Sequence, residues 1–164
     1  MKDKAHITLD TFWPYQVTVL ADEVSRYTMS IVKTVVDLNQ SQWRVLAAVA
    51  DKPGSTAAQV TALTPMDKTI VSRAVQSLIE AGYIKKSADA FDKRRLSLRS
   101  TPKGRACYEA VATKLNAAMQ APFADAMSPD ELVQMIKAFR EKLANLTPIE
   151  AAHEDAREPA RRAS

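Results

Sequence analysis

Apolar residues recur at steps of three and four along most of the chain, and the polar residues between them mark where each helix starts and stops. Trp13, Val17, Leu20, Val24, Tyr27, Ile31, Val35 and Leu38 form one stripe, entered through Phe12-Trp13-Pro14, with the proline in the first turn. The stripe predicts a helix of about 38 Å at 1.5 Å per residue, more than a small domain needs to cover its core. It either crosses its own domain or turns part of its length to a second chain. A helix from Gln42 to about Ala50 follows, capped by Ser41, with Val45, Leu46 and Val49 inward and Trp43 at its start. After the turn Asp51-Lys52-Pro53-Gly54, Ser55 or Thr56 caps a short helix carrying Ala57, Ala58, Val60, Ala62 and Leu63.

The segment from Thr64 to Gly82 carries its own start and stop signals. Thr64, Pro65 and Asp67 read as cap, first-position proline and capping-box acid, and Gly82 suits the left-handed residue after a helix. Winding the segment places Ile70, Val71, Ala74, Val75, Leu78 and Ala81 on a buried arc. The other arc holds Lys68, Thr69, Ser72, Arg73, Gln76 and Glu80. Such a face is either merely solvated or, being hydroxyls, an amide and two cations with one acid, suited to base edges and phosphates. The tight join to the short helix before it predicts a helix-turn-helix, whose second helix enters the major groove.

Beyond Gly82 the period changes. Tyr83 to Ser87 reads as a strand, and Leu96 to Ser100 alternates with period two. The intervening loop contains Asp92, Lys93, Arg94 and Arg95, so the hairpin has a basic tip suited to phosphates or a minor groove. Thr101-Pro102 restarts a helix with Ala106, Ala110, Val111, Leu115, Ala118 and Met119 inward, which Pro122 ends or kinks. Ser128-Pro129-Asp130-Glu131 is a capping box opening a last helix with Leu132, Met135, Ile136, Phe139, Leu143 and Leu146 on one face. Residues 1–10 are expected to be flexible, and 147–164, rich in alanine, proline and charge, to form a disordered tail.

Composition agrees with a mainly helical fold: the 164 residues include only 3 glycines and 6% aromatics. No apolar run approaches a membrane span and the N-terminus lacks a secretion-type apolar region, so the expected location is the cytoplasm, away from membranes. The single cysteine, Cys107, cannot form an internal disulfide. It is read as a buried structural thiol, with a redox role as the alternative and Arg105 able to lower its pKa if exposed. The net charge is only +4, but residues 67–105 carry +6 and the rest of the chain −2, which concentrates positive charge around the Thr64–Gly82 segment.

Together these pieces resemble the MarR family of winged-helix regulators. The resemblance rests on Ser41-Gln42-Trp43-Arg44-Val45-Leu46, on Met66-Asp67-Lys68-Thr69-Ile70-Val71-Ser72-Arg73, on Leu78 to Ile84, and on the spacing of Asp92, Arg94, Leu98, Thr101 and Gly104. It covers about Leu9 to Leu146 and implies a mainly α fold with a small β-hairpin wing, a winged helix-turn-helix with N- and C-terminal dimerisation helices. In that division, 11–146 is one domain, with dimerisation helices at 11–40 and 102–146 and a DNA-binding lobe at 41–101. It further implies a homodimer on a palindromic operator in double-stranded DNA, acting as a repressor released by a small ligand. Ser72, Arg73 and Gln76 would then reach base edges, with Lys68 and Thr69 near phosphates or bases. Arg94 would sit at the wing tip, flanked by Lys93 and Arg95 and steadied by Asp92. Departures are Val60-Thr61, where the family more often has Leu-Ala, and Ser100, where an apolar residue is usual; both are expected to loosen local packing. Some relatives sense oxidants through a cysteine close to the N-terminus, where this chain has none.

Family ligands include aromatic acids and acyl compounds bound between the dimerisation helices and the lobe. Arg26, Tyr27 and Trp43 are candidates for a cation and rings there, against the plainer reading of surface charge and core aromatics. An enzyme is disfavoured: His6 and His153 lie in the two tails, Cys107 has no sequence-marked base, and no glycine-rich phosphate loop or metal-ligand motif appears. No cofactor or metal is therefore expected. The alternatives to a DNA-binding regulator are a dimeric interaction protein that has lost DNA binding and a redox-responsive regulator using Cys107.

Overall fold

The computed structural model describes residues 7–88, 96–120 and 127–146. Its elements run α1 (Trp13–Lys33), α2 (Gln40–Asp51), α3 (Ala57–Leu63), α4 (Lys68–Glu80), β1 (Ile84–Ala88), β2 (Leu96–Ser100), α5 (Pro102–Gln120) and α6 (Pro129–Ala144). The fold is mainly helical with one antiparallel hairpin, as the sequence leads one to expect. Backbone contacts divide the chain into a unit ending at Ala118 and a second beginning at Met119. The tail 147–164 and residues 1–6 lie outside the described residues, while Thr8 to Phe12 form a hydrogen-bonded turn leading into α1.

In the first unit, Leu38, Val45, Leu46, Val49, Val60, Val71, Ala74, Val75, Leu78, Ile84 and Leu98 make one core joining α2, α3, α4 and the hairpin. A smaller cluster of Val32, Trp43 and Val111 ties the end of α1 to α2 and α5. The hairpin pairs Ile84 with Ser100 through Ala88 with Leu96. Its other edge is held too: the Leu98 amide donates to the Ser55 carbonyl at 2.8 Å, and the Gly54 amide donates to the Leu98 carbonyl at 2.9 Å. This double bond is possible because Gly54 turns with φ +94°, a conformation L side chains rarely adopt.

Several helix starts and faces differ from the sequence reading, each for a local reason. α1 stops at Lys33 rather than running to Leu38, because the Thr34 hydroxyl donates to the Ile31 carbonyl at 2.7 Å and the chain turns. Of its predicted stripe, Val17, Leu20, Val24 and Tyr27 are exposed; the buried α1 residue is Val32. α2 is capped by Asn39, not Ser41: the Asn39 side chain accepts from the Gln42 amide while the Gln42 side chain accepts from the Asn39 amide. α3 uses Thr56 with Gln59 in the same way. α4 begins after Asp67, which is its cap, and Thr64 instead closes α3 by donating to the Val60 carbonyl at 2.9 Å. A carboxylate is the stronger cap at a helix N-terminus, so Asp67 wins over Thr64.

On α5 the inward residues are Gly104, Cys107, Tyr108, Val111 and Leu115, while Ala106 and Ala110 are exposed. The predicted face was turned by the fit of Gly104 against the Tyr83 carbonyl, where an added Cβ would stand 1.9 Å from that oxygen. Of the two sequence departures, Val60 is fully buried in the core, whereas the buried Ser100 hydroxyl has no hydrogen-bond partner among the described residues. In the second unit, Ser128 and Glu131 form the predicted capping box of α6, and hydrogen bonds from Ser128 lower the Glu131 pKa. Of the residues predicted to face inward here, Met135, Ile136, Phe139 and Leu143 on α6 and Leu146 just after it are exposed, and Leu132 is half-buried.

Candidate nucleic-acid interface and ligand groove

α4 is fixed at both ends before its outer face is considered. At the start, the Asp67 carboxylate accepts from the Ile70 amide at 2.9 Å. At the finish, Gly82 adopts φ +74°, its amide bonds Ile79, and the Tyr83 amide bonds Leu78, the paired 5→2 and 6→1 bonds of a Schellman stop. Lys103 reaches across from α5 and donates to the Ala81 carbonyl at 2.8 Å while lying 4.4 Å from the Tyr83 ring centre. Its charge stands at the negative end of the α4 dipole. Lys103 therefore supports α4 instead of adding to a free basic surface.

Between these anchors Val71, Ala74, Val75 and Leu78 are buried, and Lys68, Thr69, Ser72, Arg73 and Gln76 all lie on the exposed side. The structure thus brings the five α4 candidates onto one face. The Gln76 amide nitrogen donates to Glu80 at 2.8 Å, and its carbonyl oxygen has no hydrogen bond among the described residues. Arg73 forms no ion pair among the described residues. The face departs from the sequence reading at two positions: Ile70, placed on the buried arc, is 42% exposed, and Ala81 is exposed as well. Asp92, Lys93, Arg94 and Arg95 lie outside the described residues.

A groove of about 380 Å³ opens beside the same lobe, lined by Trp43, Arg44, Ala47, Ala48, Asp51, Leu63, Thr64, Pro65 and Tyr108. The Trp43 and Tyr108 rings stack with centres 5.9 Å apart and planes 21° apart. Arg44 donates to the Ser25 hydroxyl at 3.2 Å, which steadies its guanidinium and leaves further donors unused. Of the three residues proposed from sequence for a ligand, only Trp43 lines this groove. Arg26 is paired with Asp22 at 3.3 Å on the exposed side of α1, and Tyr27 is also exposed. Arg44 and Tyr108 were missed. Arg44 adjoins Trp43 in the chain, but nothing in the sequence tells that α5 returns to place Tyr108 over it.

Cys107 packs against the main core, and burial raises its pKa, with Lys103 pulling the other way to a smaller extent. Arg105 is not among the causes. A raised pKa means less thiolate, the reverse of what a reactive sensor thiol needs.

Residues 36–95, which span α2, α3, α4 and the hairpin as far as its loop, match the MarR family model. That segment of the chain is thus similar to the MarR family. Solved structures agree over nearly the whole length of the chain. A MarR/EmrR family transcriptional regulator from Acinetobacter sp. ADP1 is 20% identical, covers 85% of this chain and 100% of its own, and superposes with a TM-score of 0.75. A MarR protein from Peptoclostridium difficile is 26% identical over 87% of this chain and 93% of its own, with a TM-score of 0.65. CouR from Rhodococcus jostii RHA1, solved with p-coumaroyl-CoA bound, is 19% identical over 87% of this chain and 99% of its own, with a TM-score of 0.73. No curated protein matches the chain. The MarR fold is a winged helix, so α3 and α4 are its helix-turn-helix and β1–β2 its wing. Among the described residues no group of acidic, histidine and cysteine side chains could hold a metal, and no helix is long and apolar enough to cross a membrane.

Proposed function

We propose that this protein is a homodimeric, sequence-specific DNA-binding regulator of the MarR family, a repressor that a small ligand releases. The observation that carries the reading is the outer face of α4, where Lys68, Thr69, Ser72, Arg73 and Gln76 are gathered on a helix rigidly held at both ends. Hydroxyls, amide and guanidinium supply the donors and acceptors that read a major groove, and Lys93, Arg94 and Arg95 in the sequence between the two strands would supply phosphate contacts. Two such helices, one per protomer, would read half-sites one helical turn apart. The exposed apolar stripe of Val17, Leu20, Val24 and Tyr27 on α1, and the exposed face of α6, support dimerisation through the two ends of the chain. The purified protein is expected to retain a small set of genomic fragments and to protect two symmetric half-sites in each. Retention without sequence preference would overturn the sequence-specific reading, and no retention would favour an interaction protein that has lost DNA binding.

The groove supports a ligand of the aromatic-acid class: stacked Trp43 and Tyr108 for a ring and Arg44 for a carboxylate. A neighbouring regulator from Bordetella bronchiseptica is described as regulated by 6-hydroxynicotinic acid, and CouR holds p-coumaroyl-CoA, both aromatic acids or their acyl derivatives. An aromatic carboxylate present at a hundredfold excess over its Kd stabilises the native state by about 2.7 kcal/mol. Screened by thermal melting, at least one such acid should raise the midpoint of the wild type and lose most of that effect in Arg44→Ala. An equal shift in both proteins removes Arg44 from the site.

A further inference from the structure

We infer that Ile70 reads the 5-methyl group of a thymine in each half-site, an inference that rests on the DNA-binding reading above. Helical periodicity assigns Ile70 to the core, yet it is 42% exposed, whereas Val71 is 1%, Val75 5% and Leu78 0% exposed. It is the large hydrophobic residue that α4 leaves uncovered. Its backbone is fixed, since its amide is the one bound by Asp67 at 2.9 Å, and its branched Cβ restricts the side chain to few rotamers. It is the third residue of α4, in the turn of a recognition helix that comes nearest the base edges. It stands one turn before Arg73 on the adjoining surface.

In the major groove the apolar group that projects from a base pair is the thymine 5-methyl; cytosine carries only a hydrogen at that position. An apolar, preset side chain beside Thr69 and Arg73 matches that methyl and mismatches the bare edge of cytosine. Ile70 would add an apolar contact to the polar readout of Ser72, Arg73 and Gln76.

The test uses the full-length protein and a duplex enriched by it from random-sequence DNA, in which symmetry-related thymines are replaced in turn by deoxyuridine. At one such pair, removing the methyl groups is expected to weaken wild-type binding about fourfold per methyl, the factor for burying one methylene-sized group. Ile70→Ala should bind the parent duplex more weakly by a similar factor and no longer distinguish thymine from uracil at that pair. Ile70→Val keeps the branched Cβ and the helix and should discriminate less than wild type, which covers the case of an alanine variant that does not fold. If wild type binds the enriched duplex but discriminates no more than the variants at any thymine, the inference is overturned while the DNA-binding reading stands. If no duplex is enriched, both fall together.

Discussion

Replacing Gly104 with alanine is expected to destabilise the folded protein by about 3 kcal/mol or more, the upper end for steric insertion into a packed site. The added Cβ would lie 1.9 Å from the Tyr83 carbonyl oxygen and 2.8 Å from its carbon. Neither can yield cheaply. That oxygen already accepts from the Thr101 amide at 3.0 Å and the Thr101 hydroxyl at 3.2 Å, and the Tyr83 amide closes α4 through Leu78. Moving the carbonyl therefore loosens the end of α4, and moving α5 instead breaks the Thr101 cap on the Gly104 amide at 3.1 Å. Urea unfolding of wild type and Gly104→Ala measures the difference. A loss below about 1 kcal/mol, within what a tolerated core change costs, would mean that the two segments do not meet as closely as described.

Arg73→Ala is expected to leave the fold intact and impair recognition. The side chain is exposed, it forms no ion pair among the described residues, and its helix is secured by contacts made elsewhere. Loss of one bidentate guanine contact costs about 1 to 3 kcal/mol and relaxes the preference at that base pair. Competition between the enriched duplex and single-base variants should show both effects, with unchanged thermal melting of the free protein. Unaltered affinity and unaltered preference would remove Arg73 from the reading face.

Much of this arrangement is legible in the sequence because local rules govern it. Ser128 with Glu131, Thr101 before Pro102, and Gly82 each act within a few residues, and each appears where expected. Competition between nearby caps is harder to read: Asn39 displaces Ser41, which already lies inside α2, and Asp67 displaces Thr64, whose hydroxyl is engaged by the Val60 carbonyl at the end of α3. Burial is harder still. Periodicity gives the angle of a residue around its helix but not what lies opposite it, so Ile70, Ala106 and Ala110 read as core and are exposed. The groove needed information from three distant segments, and only Trp43 carried a local sign of it.

The α1 stripe shows the same limit in another form. The spacing of Val17, Leu20, Val24 and Tyr27 declares an apolar face, and in the described chain that face remains uncovered. A contiguous exposed apolar face of this kind suits association with a second protomer. In the proposed homodimer, pairing through α1 would hold two α4 helices at a set separation, and a ligand at Trp43, Arg44 and Tyr108 would alter that separation without touching Arg73.

The most direct test of the central claim is a titration of the enriched duplex and a scrambled duplex of equal length with the wild-type protein over a series of salt concentrations. The account predicts log affinity falling linearly with log salt for both duplexes, since Lys and Arg side chains displace phosphate counterions. It also predicts tighter binding to the enriched sequence by about a thousandfold or more at physiological salt. Equal affinity for the two duplexes, or affinity insensitive to salt, would contradict it.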